Sequence, residues 1–185
     1  MVKQRKSSQG ATASKVRTRR AYFDCKFGQL HVRTAFPTTG GFDEGVTLFC
    51  LHSSEGSSRT FDRFLPEIAD DRSVYAPDLP GCGESDGVRA TSCRQAAGAI
   101  ADLATDLRLR QVDLLGFGFG AGVALELAAA RPDLVRRLVL AAVPPLDRLP
   151  VIHQKTLVLA ESATDVFDAT PPKTLATQIG TFLKS

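Results

Sequence analysis

The stretch from Val112 to Ala128 limits the folds open to this chain more than any other. Val112-Asp113-Leu114-Leu115 is a short apolar run of strand length, and Val123-Ala124-Leu125-Glu126-Leu127-Ala128 continues as an alanine-rich helix. Between them Gly116, Gly118 and Gly120 alternate with Phe117 and Phe119. Glycines at that spacing let a strand turn straight into a helix through backbone too crowded for side chains. A buried strand feeding a helix in this way is the start of a βα unit and points to the α/β class.

The same alternation runs through the rest of the chain. Val46 to Leu51, Ser73 to Ala76, Gln111 to Leu115, Arg137 to Val143 and Thr156 to Ala160 are apolar runs of strand length, while Phe61 to Ala69, Ser92 to Leu107 and Phe119 to Arg131 have helical patterning. Thr91 or Ser92 is suited to cap the second helix. Strands that are apolar on both faces and joined by helices imply a mostly parallel sheet, with binding or chemistry at the carboxyl ends of its strands. Upstream, residues Ala21 to Phe36 alternate around Lys26-Phe27-Gly28-Gln29 and predict a β-hairpin. Downstream, Pro144 to Lys155 reads as a short linker, followed by a strand and a terminal helix with Leu175, Ile179, Phe182 and Leu183 on one face.

A length of 185 residues suits one domain, taken here as residues 21–185. The net charge is +3, yet residues 1–20 hold seven basic side chains and no acid, which leaves residues 21–185 at −4. This basic stretch has no aromatic residue to stack bases and no apolar face to enter a bilayer. It is expected to be a disordered arm, with neither nucleic acid nor membrane as a partner. No stretch approaches the roughly 20 apolar residues of a membrane span. Cys25, Cys50, Cys82 and Cys93 contain no C-x-x-C pair, so they read as free thiols in a cytoplasmic protein, with no metal site.

Three motifs in order carry a resemblance. Val46-Thr47-Leu48-Phe49-Cys50-Leu51-His52 is similar to a strand entering a His-Gly oxyanion loop. Pro77-Asp78-Leu79-Pro80-Gly81-Cys82-Gly83-Glu84-Ser85 is similar to a P-D-L-x-G-x-G-x-S signature. Gly116 to Gly120 keeps the outer glycines of the G-x-S-x-G nucleophile elbow. With Arg131 to Leu140 following, residues 21 to 145 resemble the α/β-hydrolase family. The resemblance implies an α/β-hydrolase fold: a mostly parallel sheet with helices on both faces and an N-terminal β-hairpin. Against the family pattern the helical cap and the last strand are expected to be absent, making this a single truncated domain.

The resemblance also says what is missing. Acyl transfer on this fold needs a nucleophile, a histidine, an acid that orients the histidine, and two backbone N–H groups for the oxyanion. The nucleophile position is vacant, because Gly118 has no side chain. Of the histidines, His31 falls in the hairpin and His153 in the linker, and His52 is a weak base candidate beside the oxyanion loop. Asp165 is a weak acid candidate, and an alternative alignment puts Thr164 or Asp165 where the histidine belongs. The Phe119 N–H, faced by Ser53 or Ser54, is the candidate oxyanion or anion-binding backbone, although His52-Ser53 stands where the family has His-Gly. Ser53, Ser54 and Cys82 are the substitute nucleophiles the sequence offers, and none has a dedicated base. Glycine at the elbow also resembles non-enzymatic relatives in the N-myc downstream-regulated family.

Three functions therefore stay open. The first is a catalytically degenerate protein that at most binds a small carboxylate or ester-like ligand. The second is a residual hydrolase with a non-standard nucleophile. The third is a protein-interaction module, with self-association through uncovered apolar surface as the expected consequence. No cofactor is implied. Gly116-x-Gly118-x-x-Ala121 also fits a relaxed dinucleotide fingerprint, but the strand after it ends at Val143-Pro144 without the acid that holds a ribose.

Overall fold

Near-continuous apolar runs give the central strands of this chain two buried faces. The structure, a computed structural model, describes residues 16, 18–38, 45–145, 150–160 and 166–185. Its strands are β1 (Thr18–Cys25), β2 (Gly28–Ala35), β3 (Gly45–Leu51), β4 (Arg72–Pro77), β5 (Val112–Phe117), β6 (Val135–Ala141) and β7 (Lys155–Ala160). The helices are α1 (Leu65–Ile68), α2 (Cys93–Asp106), α3 (Phe119–Ala130), α4 (Val166–Ala169) and α5 (Pro172–Lys184). The strands form one sheet in the order β1-β2-β4-β3-β5-β6-β7. The expected hairpin is antiparallel, as is β2 against β4, and every pair from β4 to β7 is parallel.

Residue parity decides which layer each strand residue joins. Phe49, Leu51, Leu114, Leu138 and Leu140 pack in one core with α2 and α3, whereas Leu48, Cys50, Leu115 and Val139 pack in the other with α1 and α5. Fully burying a side chain of the Leu or Phe kind stabilises by about 1.5–3 kcal/mol, so both layers are strongly held. Asp113, fully buried near the start of β5, accepts two hydrogen bonds from Arg136 at 2.9 and 2.6 Å. Arg136 and Arg137 also donate to the Leu183 carbonyl and so clamp the end of α5.

Two boundaries differ from the sequence expectation. β1 begins at Thr18 and not at Ala21, because Thr18 to Arg20 pair with Arg33 to Ala35. The hairpin thus takes in the last residues of the basic stretch, while residues 1–15 and 17 lie outside the described set. The expected helix over Phe61 to Ala69 is divided into a 3-10 turn, Ser58–Phe61, and the short α1. Pro66 is the cause: it has no N–H to give to the carbonyl four residues earlier, so it is accommodated only in the first turn of a new helix.

Candidate active site at the turn between β5 and α3

The turn depends on what glycine lacks. A Cβ at Gly116 would stand 2.5 Å from the Ala121 Cα, and one at Gly120 would stand 2.1 Å from the Leu51 carbonyl oxygen. These two glycines let α3 begin directly against the ends of β5 and β3. Gly118 has φ +55° and ψ −122°, a conformation that L side chains rarely adopt, and its N–H is anchored on the Ala141 carbonyl at 3.0 Å. Phe119 follows as the first residue of α3, where its N–H has no acceptor within the helix.

The loop after β3 faces this turn. Thr47 to Leu51 of β3 pair with Val112 to Gly116 of β5, so His52 and Ser53 emerge beside the elbow. The His52 ring is fully buried. Its Nδ1 lies 2.6 Å from the Ser53 carbonyl and its Nε2 accepts the Leu79 N–H at 2.9 Å. This pattern requires the neutral Nδ1–H tautomer with the Nε2 lone pair occupied. Burial lowers the His52 pKa, against the raising effect of the Ser53 carbonyl and of Asp78. Such a ring braces two loops and has no free lone pair with which to take a proton. Ser53 lies over the elbow: a Cβ at Gly118 would stand 3.0 Å from the Ser53 Cβ.

Asp78, just beyond β4, organises the same end of the sheet. It is buried, and its carboxylate accepts the Ser58 N–H at 2.6 Å, the Glu84 N–H at 2.8 Å and a hydrogen bond from His31 Nδ1 at 2.9 Å. Burial raises its pKa, but the hydrogen bonds from Glu84, Ser58 and His31 outweigh that and hold the carboxyl below the usual range. A Cβ at Gly83 would stand 2.1 Å from Asp78 Oδ2, which explains one glycine of the signature. One carboxylate thus ties the hairpin, the loop after β3 and the loop after β4 together. Sequence reading took Asp78 only as part of a motif; a lone acid at a strand end followed by alternating glycines was the available signal.

Ser54, Leu79, Pro80, Cys82, Arg89, Ala90 and Phe119 line a hollow of about 30 Å³ beside the elbow. Arg89 at its rim pairs with Glu55 at 3.2 Å. Larger clefts lie elsewhere: about 400 Å³ between α1 and α5, about 410 Å³ between α2 and α3, and about 320 Å³ where Arg59, Arg63 and Phe64 face Phe167, Pro172 and Leu175. Chemistry gathers at the small hollow, where the loops from the carboxyl ends of β3, β4 and β5 meet.

The remaining candidates are dispersed. Asp165 and Thr164 lie outside the described residues. His153 is exposed before β7, and His31 is committed to Asp78. Burial pushes the Cys82 thiol pKa up, so it is a poor nucleophile, and Cys50 is buried against the opposite layer and raised further. Among the described residues no group of three or more His, Cys, Asp or Glu is placed to hold a metal ion, and no helix is long and apolar enough to cross a membrane. The elbow therefore brings together Gly118, Phe119, Ser53 and Ser54, with no side chain at position 118 and with His52 already engaged.

Comparison with known proteins agrees with the fold. The family model described as alpha/beta hydrolase fold matches residues 46–185. An uncharacterized protein of Mycobacterium tuberculosis is 34% identical over 117 residues, 62% of this chain and 33% of its own length. A 2-hydroxymuconate semialdehyde hydrolase from a Pseudomonas species is 34% identical over 116 residues, 59% of this chain and 39% of its own length. An epoxide hydrolase solved without ligand superimposes with a TM-score of 0.58 at 26% identity, over 70% of this chain and 43% of that one. The chain thus spans about a third to two-fifths of the length of these curated relatives.

Proposed function

Because this chain belongs to the α/β-hydrolase family, we propose that it is a member without acyl transfer at its elbow. On this reading it keeps the family scaffold and at most holds a small carboxylate or ester-like group. The observation that carries it is Gly118: the position from which the family's nucleophile would project has no side-chain atom. Two further features support it. The nearest histidine, His52, has both ring nitrogens in use, and the 30 Å³ hollow is far below the roughly 300 Å³ where ordinary ligand pockets begin. The anion-binding capacity left is the free Phe119 N–H at the start of α3, with the Ser54 backbone opposite and Arg89 at the rim. We place the protein in the cytoplasm, a reading supported by its four free cysteines.

The test is exposure to a fluorophosphonate probe followed by site-resolved mass spectrometry, together with turnover of activated esters. No adduct and no turnover is the expected result. A stoichiometric adduct on any serine, with matching turnover, would refute the proposal and favour a hydrolase with a non-standard nucleophile. An interaction role has one observation in its favour: Val158, in the edge strand β7, is 52% exposed.

A further inference from the structure

We propose that Ser53 seals the elbow, so that positions 53 and 118 accept only one side chain between them. The proposal rests on the reading that Gly118 ended acyl transfer, and it adds what now fills the space. A Cβ at Gly118 would stand 3.0 Å from the Ser53 Cβ and 3.5 Å from its Cα, whereas carbon atoms pack best at about 3.5–4.0 Å. The neighbour would have to retreat by a few tenths of an ångström.

Ser53 is not free to do so. Its carbonyl is held twice, by His52 Nδ1–H at 2.6 Å and by the Gly56 N–H at 3.0 Å, which closes a tight turn over residues 53–56. The hydroxyl lies on the far side of that turn, since a Cβ at Gly56 would stand 3.2 Å from Ser53 Oγ and 3.2 Å from Thr60 Oγ1. Ser53 therefore turns its hydroxyl toward Gly56 and its methylene toward Gly118. An acyl group approaching the elbow meets carbon on one side and glycine on the other. Glycine at 53 removes that methylene and is the change that opens the site to a carboxylate.

The test is a four-protein cycle: the unmodified chain, Ser53→Gly, Gly118→Ser and the double variant, each unfolded in urea. The expected result is that Gly118→Ser lowers the folding equilibrium constant at least threefold more in the Ser53 background than in the Ser53→Gly background. A double variant that folds where Gly118→Ser alone does not would give the same support. A smaller ratio overturns the seal, as does loss of fold in both proteins carrying the change at 118, because removing Ser53 would then have brought no relief. A second arm titrates sodium acetate against the Phe119 amide in nitrogen-edited spectra of the unmodified chain and Ser53→Gly. Tighter acetate binding in Ser53→Gly supports the seal, and equal binding in both proteins overturns it. Coupling in the cycle with no acetate response in either protein supports the seal and refutes the carboxylate reading.

Discussion

Replacing Asp78 by Asn should cost about 3–6 kcal/mol of folding stability at neutral pH. In the native protein its carboxylate accepts hydrogen bonds from three donors on three segments: Ser58 N–H, Glu84 N–H and His31 Nδ1. An amide of the same shape keeps one oxygen, which can remain with Ser58, but it turns an NH2 group toward the two donors now on Oδ2. A hydrogen bond to a charged acceptor contributes about 1.5–3 kcal/mol, so losing two gives about 3–6, or about 1.5–3 if His31 changes tautomer to accept from the new amide. The assay is urea unfolding followed by circular dichroism, with the slope m unchanged and only the midpoint displaced. Asp62→Asn is the control. Asp62 is partly exposed and pairs with Arg33 at 2.8 Å, and its loss should cost under about 1 kcal/mol. The Asp78 carboxyl is held below its usual range, so its contribution is present above the unfolded value near pH 4 and disappears as pH falls through the lower folded value. The gap between native and variant should therefore close in acid. A loss under 1 kcal/mol at pH 7, or a gap that does not narrow with acid, would refute the role assigned to Asp78.

Further outcomes follow from the same geometry. Burial lowers the His52 pKa, so the unfolded chain binds its proton first: the His52 contribution to stability is complete above about pH 6.5 and declines below it, by at most about 1.4 kcal/mol per pH unit. Urea midpoints across pH 5 to 8 should show this slope, and His52→Asn should flatten it. Gly120→Ala should destabilise by about 3 kcal/mol or more, because its Cβ would meet the backbone carbonyl of Leu51 at 2.1 Å; thermal melting that is unchanged would contradict that crowding. The edge strand β7 carries no charge after Lys155, whereas the opposite edge, β1, holds Arg19, Arg20 and Asp24. Val158→Lys should then lower self-association in light scattering at high concentration, and equal scattering from both proteins would count against association through β7.

Local rules were enough for much of this protein. Leu48, Phe49, Cys50 and Leu51 in succession suit a strand buried on both faces, and three alternating glycines between an apolar run and an alanine-rich run suit a tight strand-to-helix turn. The vacancy at Gly118 is equally a property of the sequence, since no fold can supply an atom the residue lacks. Over Phe61 to Ala69 the apolar spacing alone points to one helix, whereas Pro66, lacking an N–H, divides the segment into a 3-10 turn and α1.

What no local rule contains is which loops meet at the elbow. β3 lies between β4 and β5, so segments far apart in the chain converge: Leu51 is in register with Gly116, and that pairing alone puts His52 and Ser53 beside Gly118. The family resemblance makes His52 a weak base candidate beside the oxyanion loop. In the fold its two nitrogens are taken by the Ser53 carbonyl and the Leu79 N–H, because burying a ring with either nitrogen unpaired would be costly. Asp78 became the knot of three segments for the same reason, a buried carboxylate being stable only where enough donors converge on it. Sequence determined the elements and the empty position, since both follow from interactions within a few residues. Tertiary structure decided what occupies the space around that position, because strand order and the need to satisfy buried polar atoms act only between distant parts of the chain.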